Sequence, residues 1–436
     1  MKSVFAYLEP LGLEYVGGVL LSIEKEYEIY DEFEHSVIFR KRRLRKKIRN
    51  YSPDVVGFTA NANTVDDIIL SAKMIKTLNP SIIIIVGGPQ AELNYSEFFV
   101  DCIDYIFHDS GLESFKEAAI SDFDHGTVRT LRGVCFKEKA VKCPTTTTIK
   151  TEKYPGWVTN EKSSPISEFI TMPDRTPFYN NLHKINLFLK GRYALVKASF
   201  ACPYQCSFCY CSRMNCGTYS ERSIDSVMNE LKGINHDKIW FVDDSFLLSR
   251  KRVMEFIDKL NENDIKKEFM VYSRTDFIVE NADLLPALYD AGFRDIIVGL
   301  EACDDDFLEA YKKQTKEDIN TQAIKLLHYN NLICNGLFIV DYRFSKVDFK
   351  ILYKYIVKQK LFWALFAIFT PLKGTPLYEE YRDKLNTYKS KKLDFLHLTL
   401  NPTQMSKFMF YIRFYRLHIK VLRRLLAHLI FKRGMN

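Results

Sequence analysis

The sequence lacks the features that mark membrane-spanning and disulfide-bonded proteins. No uninterrupted apolar run reaches the roughly 18 residues that a membrane-spanning helix needs, and Glu9 and Glu14 interrupt the apolar N-terminus. No small-residue cleavage site of a secretory signal follows Lys2. Ten cysteines in 436 residues are too few for a disulfide scaffold. We therefore expect a cytoplasmic protein in a reducing compartment.

Acidic residues are absent from one stretch, and basic residues crowd into another. The last 36 residues, from Asn401, contain no Asp or Glu. The run RKRRLRKKIR, residues 40–49, holds eight basic residues in a chain whose formal net charge is +8. Leu44 and Ile48 are four residues apart, which favours a helix with these two side chains inward and the charges solvated. A site for an anionic partner such as a nucleic acid is the alternative.

Strand and helix patterns alternate through most of the chain, which predicts an α/β fold. In residues 1–142 the apolar runs Asp54–Thr59 and Ile82–Val86 enclose helical spacing at Val65–Leu78. This alternation is typical of a Rossmann-like, doubly wound parallel sheet. Residues 143–190 are rich in Pro and Thr, and they predict an irregular linker.

The second half of the chain predicts a barrel followed by a helix. Residues 191–385 contain six candidate strands with helices between them, as in a partial (β/α)6 TIM-like barrel whose site lies at the strand C-termini. Residues 386–436 predict a helical extension. Apolar residues there step by four and three, at Phe408, Ile412, Tyr415, Ile419, Leu422, Leu426 and Leu429. We expect this face to pack on the barrel; the alternative is peripheral contact with the anionic inner face of a membrane.

Five of the ten cysteines lie within residues 202–216. Cys202, Cys206 and Cys209 follow a predicted strand with the spacing C-x3-C-x2-C. Three thiolates suit an iron–sulfur cluster in which one iron keeps open coordination positions, and S-adenosylmethionine can chelate such an iron. A structural zinc site needs four ligands, and Cys211 or Cys216 could supply the fourth.

The segment CPYQCSFC resembles the signature of the radical S-adenosylmethionine superfamily, including the aromatic Phe208 before the third cysteine. The resemblance implies a [4Fe–4S] cluster on Cys202, Cys206 and Cys209. It also implies that S-adenosylmethionine binds at that cluster, with Phe208 beside it.

Three later segments extend this resemblance. Asp243, Asp244 and Ser245 in FVDDSF match the turn that binds the methionine ammonium, which charge complementarity supports. Arg274 in VYSRTDFI and Glu301 in VGLEA match strand ends that contact the ribose and carboxylate. The alternatives are a helix N-cap for the two aspartates and surface ion pairs for Arg274 and Glu301.

Four N-terminal segments, PLGLEYVGGVL, PDVVGFTANANT, IIIIVGGP and DYIFHDSGLESF, resemble the cobalamin-binding domain of one subgroup of this superfamily. The resemblance implies a corrinoid whose nucleotide tail lies along the sheet, with its ring facing the iron–sulfur site. The residues implied are Asn61, Asn63, Thr64, Gly87, Gly88, Pro89 and Gly111. The motif Asp-x-His-x-x-Gly is absent, which fits cobalamin bound without a protein imidazole. A domain that serves only as a scaffold is the alternative.

The segments MPDR, TPLKGTPLY and DFLHLTLNPTQM resemble the hopanoid C-3 methylase group of class B methyltransferases. This resemblance implies methylation of an unactivated carbon of a small-molecule or lipid-like substrate, through a 5′-deoxyadenosyl radical and methylcobalamin. It also implies an electron donor such as flavodoxin or ferredoxin, and no nucleic acid. Ala201 stands where many relatives have glycine, which a loop tolerates if the local φ is negative.

Two other functions remain open from the sequence. One is non-methylating radical chemistry with the same cofactors, namely cyclisation, ring rearrangement or oxidation. The other is a non-catalytic metal-binding module that contacts nucleic acid through residues 40–49.

Overall fold

The computed structural model describes residues 6–31, 40–138, 149–150, 154–187 and 189–433. The chain forms two compact units. The N-terminal unit comprises residues 1–195 and 211–221, and the C-terminal unit comprises residues 196–210 and 222–436. Each unit has a six-stranded sheet with parallel strands and helices around it, which confirms the predicted α/β class.

Short strands and helices alternate in the N-terminal unit. Its strands are β1 (Ala6–Tyr7), β2 (Val55–Thr59), β3 (Ile83–Gly87), β4 (Tyr105–Phe107), β5 (Val134–Lys137), β6 (Ile149–Lys150), β7 (Trp157–Thr159) and β8 (Asn186–Leu187). Its helices are α1 (Leu11–Ser22), α2 (Arg40–Tyr51), α3 (Val65–Leu78), α4 (Pro89–Asn94), α5 (Glu113–Ile120), α6 (His125–Val128) and α7 (Thr176–Asn180).

The N-terminal sheet has the order β2-β3-β4-β5-β7-β6. β2, β3 and β4 are parallel, as the alternation predicts. β5 joins β4 antiparallel, and β7 and β6 continue in the same manner. β6 and β7 come from the predicted linker, so that segment is not wholly irregular. Its residues Trp157 and Val158 are each 4% exposed, and the segment buries them by extending the sheet.

Helix α2 carries the basic run of residues 40–49. Leu44 and Ile48 are buried, whereas Lys41, Arg42 and Arg45 are exposed. The prediction of a solvated charged face with two inward apolar residues is therefore confirmed.

The arginine of the MPDR segment is buried in the N-terminal unit. The guanidinium of Arg175 lies 3.2 Å from the Glu9 carboxylate, and it donates to the carbonyl oxygen of Leu195 at 2.8 Å. Glu14 is fully buried nearby, and burial followed by the Glu9 charge raises its pKa to about 9. Glu14 therefore stays protonated at neutral pH, and the buried charges reduce to one pair, Glu9 with Arg175.

The remaining elements complete the C-terminal unit, apart from β11, which belongs to the N-terminal one, and β9, which crosses the boundary at residue 195. The strands are β9 (Ala194–Val196), β10 (Ser199–Phe200), β11 (Ser220–Glu221), β12 (Lys238–Phe241), β13 (Glu268–Ser273), β14 (Phe293–Glu301), β15 (Ile333–Val340) and β16 (Trp363–Ile368). The helices are α8 (Ile224–Gly233), α9 (Arg250–Glu262), α10 (Thr275–Glu280), α11 (Leu285–Asp290), α12 (Asp305–Ala310), α13 (Glu317–Tyr329), α14 (Lys346–Lys358), α15 (Pro376–Tyr381) and α16 (Lys407–Arg433).

The C-terminal sheet has the order β16-β15-β14-β13-β12-β9, which is the chain order of its strands. β12 to β16 pair parallel. Helices cover one face of this sheet, where Phe338 packs on Tyr355 of α14 and Phe366 packs on His418 of α16. Parallel strands that follow one another in chain order, with helices between them, are the arrangement expected of the predicted partial barrel.

Helix α16 exists as predicted, but it packs through a different face. The predicted inward residues include Phe408, which is 72% exposed, and Ile419, which is 50% exposed. The buried face instead consists of Phe410, Phe414, Leu417, Val421 and Leu425. Both sets recur at helical spacing, and contacts such as that of Phe410 with Phe349 of α14 decide between them. Among the described helices, none combines the length and the apolar character needed to cross a bilayer.

The loop after β10 begins with a residue in an unfavourable backbone conformation. Ala201 has a φ of +58°, so the condition under which a loop tolerates alanine in place of glycine is not met. A Cβ in this left-handed region costs about 1–2 kcal/mol. The loop therefore carries strain that glycine would avoid.

Gly88 provides a stability test of the strand-end geometry. It has a φ of +93°, and a Cβ there would lie 2.7 Å from Thr59 Oγ1 and 2.9 Å from the backbone N of Ala60. We expect Gly88→Ala to lower the unfolding free energy of the N-terminal unit by about 2 kcal/mol in urea titrations. Gly12→Ala in α1 is the matched control, because a Cβ there meets nothing within 4 Å. Equal stability of the two variants would contradict this account.

Candidate active site

Three cysteine thiols share the loop that follows β10. Cys202, Cys206 and Cys209 are partly exposed, and none forms a disulfide. The amide of Cys209 donates to the carbonyl oxygen of Cys206 at 3.1 Å, which turns the loop back on itself. Burial raises the pKa of Cys202 to about 11, and charges on Asp244, Cys209 and Cys206 add to the shift. The three thiols are therefore close enough to repel one another as thiolates.

The loop has the donor set of an iron–sulfur cluster with one open iron. Within the described residues, no three Cys, His, Asp or Glu side chains already have metal-binding geometry. The evidence that the loop suits a cluster is therefore the type of its three side chains and the charges around them. Burial raises the pKa of Cys206, and the charges of Lys313 and Arg274 oppose that shift. Cationic groups beside the thiols favour the anionic ligands that a cluster requires.

Two nearby cysteines have other surroundings. Residues 211–221, which contain Cys211 and Cys216, belong to the N-terminal unit. The Cys216 thiol donates to the carbonyl oxygen of Ser163 at 3.4 Å. The preceding amide, of Asn215, donates to the Glu92 carboxylate at 2.6 Å. This arrangement does not favour Cys216 as a fourth metal ligand.

Arg274 is a buried residue beside the cysteine loop, and the alternative of a surface ion pair is wrong. It is 6% exposed and occupies the position before α10. Its guanidinium stacks on Tyr204 at 3.9 Å from the ring centroid and lies 4.0 Å from Cys206 Sγ. A salt bridge of 2.9 Å to Asp276 holds it there. The structure places Arg274 beside the cysteine loop, and its contact with a ligand stays a prediction.

Glu301 ends β14 and is paired with a lysine that no sequence motif indicated. Glu301 is 8% exposed, has a φ of +57°, and lies 2.9 Å from Lys313 Nζ. Lys313 is also buried, and its Nζ lies 5.9 Å from the centroid of the Phe208 ring. Glu301 is therefore not a surface residue. It joins Phe208 and Lys313 in one cluster.

Phe208 faces this cluster from the cysteine loop. Its ring meets that of Tyr311 edge to face at 5.9 Å. The hydroxyl and the amide of Ser207 both donate to the carbonyl oxygen of Tyr311, at 2.9 and 3.3 Å. These contacts fix the loop against the segment that carries Lys313, and no local sequence pattern indicates them.

Asp243 is buried beneath the start of the same loop. One oxygen of its carboxylate accepts from the amides of Ala198 and Ser199, at 2.7 and 2.8 Å. The other oxygen has no hydrogen-bond partner among the described residues, and neither do the hydroxyls of Ser199 and Ser245. Burial raises the pKa of Asp243 to about 6. Unmatched buried acceptors fit a cationic ligand group such as an ammonium.

The N-cap alternative for the aspartates is wrong. The cap of α9 is Ser249, whose hydroxyl accepts from the amide of Arg252. Asp244 is partly exposed, and its charge adds to the raised pKa of Cys202. Asp244 therefore belongs to the surroundings of the cysteine loop.

The cobalamin candidates lie together in the N-terminal unit. The backbone of Asn61 donates to Thr64 Oγ1 at 2.9 Å in the turn before α3, and Pro89 begins α4. Because β2, β3 and β4 are parallel neighbours, their carboxyl ends share one edge of the sheet. The candidates end or follow these strands at that edge: Asn61, Asn63, Thr64, Gly87, Gly88, Pro89 and Gly111. Their contact with a corrinoid stays a prediction.

Two family models match the chain, one in each half. Residues 196–354 match the radical SAM superfamily, and residues 1–119 match the B12 binding domain. Among curated proteins, an uncharacterized methyltransferase of Pyrococcus horikoshii is 24% identical over 385 residues, covering 85% of this chain and 78% of the relative.

Two further relatives differ in their named reactions. The hopanoid C-3 methylase of Methylococcus capsulatus is 24% identical, covering 92% of this chain and 74% of the relative. An anaerobic magnesium-protoporphyrin IX monomethyl ester cyclase of Rubrivivax gelatinosus is 25% identical, covering 84% of this chain and 65% of the relative.

Solved structures share the fold. The radical S-adenosylmethionine methyltransferase TsrM of Kitasatospora setae superposes with a TM-score of 0.64 at 17% identity, over 86% of this chain and 75% of that protein. The cobalamin-dependent radical enzyme OxsB gives 0.69 at 15% identity, over 93% and 63%. The chain therefore belongs to the radical S-adenosylmethionine superfamily and is a radical enzyme that carries a B12 binding domain.

Proposed function

We propose that this enzyme is a cobalamin-dependent C-methyltransferase acting on an unactivated carbon of an apolar small molecule. The observation that carries the proposal is the three-thiol loop flanked by buried Arg274 and Lys313, in a chain that also has a B12 binding domain. When bound, the [4Fe–4S] cluster, S-adenosylmethionine and cobalamin supply a 5′-deoxyadenosyl radical and a transferable methyl group.

The side chains of this protein bind and orient these groups. Cys202, Cys206 and Cys209 hold the cluster. Asp243 and Ser245 present unmatched acceptors for the methionine ammonium. Asp244 adds negative charge nearby. An electron donor of the flavodoxin or ferredoxin kind in the cytoplasm completes the system.

The carboxylate of S-adenosylmethionine would meet positively charged side chains. Arg274 and Lys313 are both buried beside Cys206, where low polarity strengthens their attraction for an anion. Glu301 holds Lys313 in place and Asp276 holds Arg274, and both cations keep further N–H donors for a ligand carboxylate. Phe208 covers this cluster from the cysteine loop.

An apolar substrate is supported by the sheet face that lies opposite the helices. Gly299, Leu337 and Leu365 are in register across β14, β15 and β16, so their side chains share one face. Leu365 is 60% exposed there. A Cβ on Gly299 would lie 2.5 Å from Glu301 Oε1, which places the charged cluster beside this face. Apolar surface next to the site suits a substrate that is apolar or lipid-like.

Non-methylating radical chemistry is a second candidate, because the cyclase relative is 25% identical over 376 residues. Such a reaction would use the same cofactors for ring formation or oxidation. Its products, rather than its cofactors, distinguish it from methyl transfer.

Removal of one cluster ligand tests the first step of the proposal. We expect Cys206→Ala to lose the brown colour and most of the iron of anaerobically reconstituted protein, and to abolish reductive cleavage of S-adenosylmethionine. The control is Cys216→Ala, which should keep both, because that thiol bonds to Ser163. Cleavage retained in Cys206→Ala would rule out this cluster assignment, and iron lost in Cys216→Ala would reinstate a fourth cysteine ligand.

Labelled S-adenosylmethionine distinguishes methyl transfer from the second candidate. We supply reconstituted protein with cobalamin, dithionite and S-adenosylmethionine carrying a labelled methyl group. Methyl transfer predicts label on protein-bound corrinoid and release of S-adenosylhomocysteine in equal amount. Label recovered in methionine, with 5′-deoxyadenosine as the nucleoside product and no S-adenosylhomocysteine, would support the non-methylating reaction instead.

Gly299→Ala tests the Glu301–Lys313 cluster without removing a charge. The added methyl group would lie 2.5 Å from Glu301 Oε1 and 2.7 Å from Lys313 Nζ, so the pair must shift. We expect about tenfold weaker binding of S-adenosylmethionine in equilibrium dialysis, or about 1.4 kcal/mol, with the iron content unchanged. Gly233→Ala in α8 is the control, since a Cβ there meets nothing within 4 Å. Unchanged affinity in Gly299→Ala would remove this cluster from the binding site.

A further inference from the structure

Helix α16 has a second apolar face that the described residues of the C-terminal unit leave exposed. Six large side chains form this outer stripe, and their exposed fractions range from 39% to 72%. The outer stripe consists of Phe408, Ile412, Tyr415, Ile419, Leu426 and Ile430. Single exposed apolar residues are common on soluble proteins. A continuous row of six on one helix is not, and it indicates a binding surface.

The outer stripe and the buried face lie on different sides of the helix. With 3.6 residues per turn, the six residues of the outer stripe fall within an arc of about 60–80°. The buried face, centred near Leu417 and Val421, is rotated by roughly 170° from the centre of that arc. The helix is already anchored through this other side, where the guanidinium of Arg424 donates to the carbonyl oxygen of Leu361 at 3.0 Å. The outer stripe therefore takes no part in anchoring the helix to the described part of the unit.

Positive charge runs along one flank of the outer stripe. Arg416, Lys420 and Arg423 are exposed, and by helical spacing they lie on the same side of it. Lys420 Nζ lies 4.6 Å from the centroid of the Tyr353 ring, which holds its ammonium at the base of that flank. Residues 401–436 contain no Asp or Glu to neutralise these charges. The surface therefore combines exposed apolar side chains with cations, on a helix that carries no carboxylate of its own.

We propose that the outer stripe of α16 docks on an anionic lipid bilayer. A helix that lies in the bilayer interface places its apolar side chains at the acyl boundary and its Lys and Arg side chains among the headgroups. A second copy of this chain fits less well, because it would bring two cationic flanks together with no carboxylate on either helix. The inference stands on α16 alone, independently of the proposed reaction.

Vesicle sedimentation with the full-length, anaerobically reconstituted protein tests the proposal. We expect the protein to pellet with phosphatidylcholine vesicles that contain phosphatidylglycerol, and to stay in solution with phosphatidylcholine alone. Bound protein should fall as salt rises, because salt screens the attraction between the cationic flank and the headgroups.

Variants at exposed positions separate the outer stripe from general charge effects. Ile412→Glu with Ile419→Glu should weaken vesicle binding by about tenfold or more, and Arg416→Gln with Arg423→Gln should weaken it while leaving the apolar residues intact. The matched control is Tyr329→Glu with Val347→Glu, which adds the same charge at exposed apolar positions on α13 and α14. Circular dichroism should show all three variants folded as the parent.

Three results would overturn the proposal. Equal binding to both kinds of vesicle would show that the cations do not contribute to binding. Full binding by Ile412→Glu with Ile419→Glu would show that the outer stripe does not contribute. A dimer in analytical ultracentrifugation that this variant dissolves, without vesicle binding by the parent protein, would assign the outer stripe to a second copy of the chain.

Discussion

Two buried cations beside the cysteine loop are the constraint on which the C-terminal unit depends. A buried charge is costly unless it is paired, and here Lys313 is paired with Glu301 and Arg274 with Asp276. Each pair requires a particular strand end. Glu301 reaches Lys313 from a left-handed backbone position at the end of β14, and Gly299 leaves the space that the pair occupies. Parallel strands in chain order bring these ends together, next to Cys206.

In the N-terminal unit, backbone geometry rather than paired charge shapes the candidate ligand edge. Its candidate ligand edge is built where β2 and β3 end, and the approach there is so close that Gly88 has no room for a Cβ. The sheet is then extended by β7 and β6, which cover the edge of β5 and bury Trp157. A charged pair of Arg175 with Glu9 holds the MPDR segment in the same unit, and it leaves Glu14 as a neutral acid.

In helix α16, the periodicity of the sequence predicts an amphipathic helix but not which of its faces is buried. Its sequence carries two apolar rows at helical spacing, and both predict an amphipathic helix. Only contacts distant in sequence, such as Phe410 with Phe349 and Phe366 with His418, decide which row is buried. The row that the sequence suggests as the packing face is the exposed one, and it lies beside the positive charges of Arg416, Lys420 and Arg423. One of the two apolar rows of α16 thus packs on the C-terminal unit, and the other is left for a different contact.

The sequence by itself determined the features that depend on short-range spacing. The cysteine loop, the apolar runs of the parallel strands, the solvated basic helix α2 and the length of α16 all follow from neighbours within a few residues. Tertiary structure alone decided the partners of Lys313, the binding of Asp243 to the amides of Ala198 and Ser199, and the left-handed φ of Ala201. These features come from strand ends that are far apart in the chain and meet only when the sheet forms. No local sequence pattern specifies which buried carboxylate pairs with which buried cation.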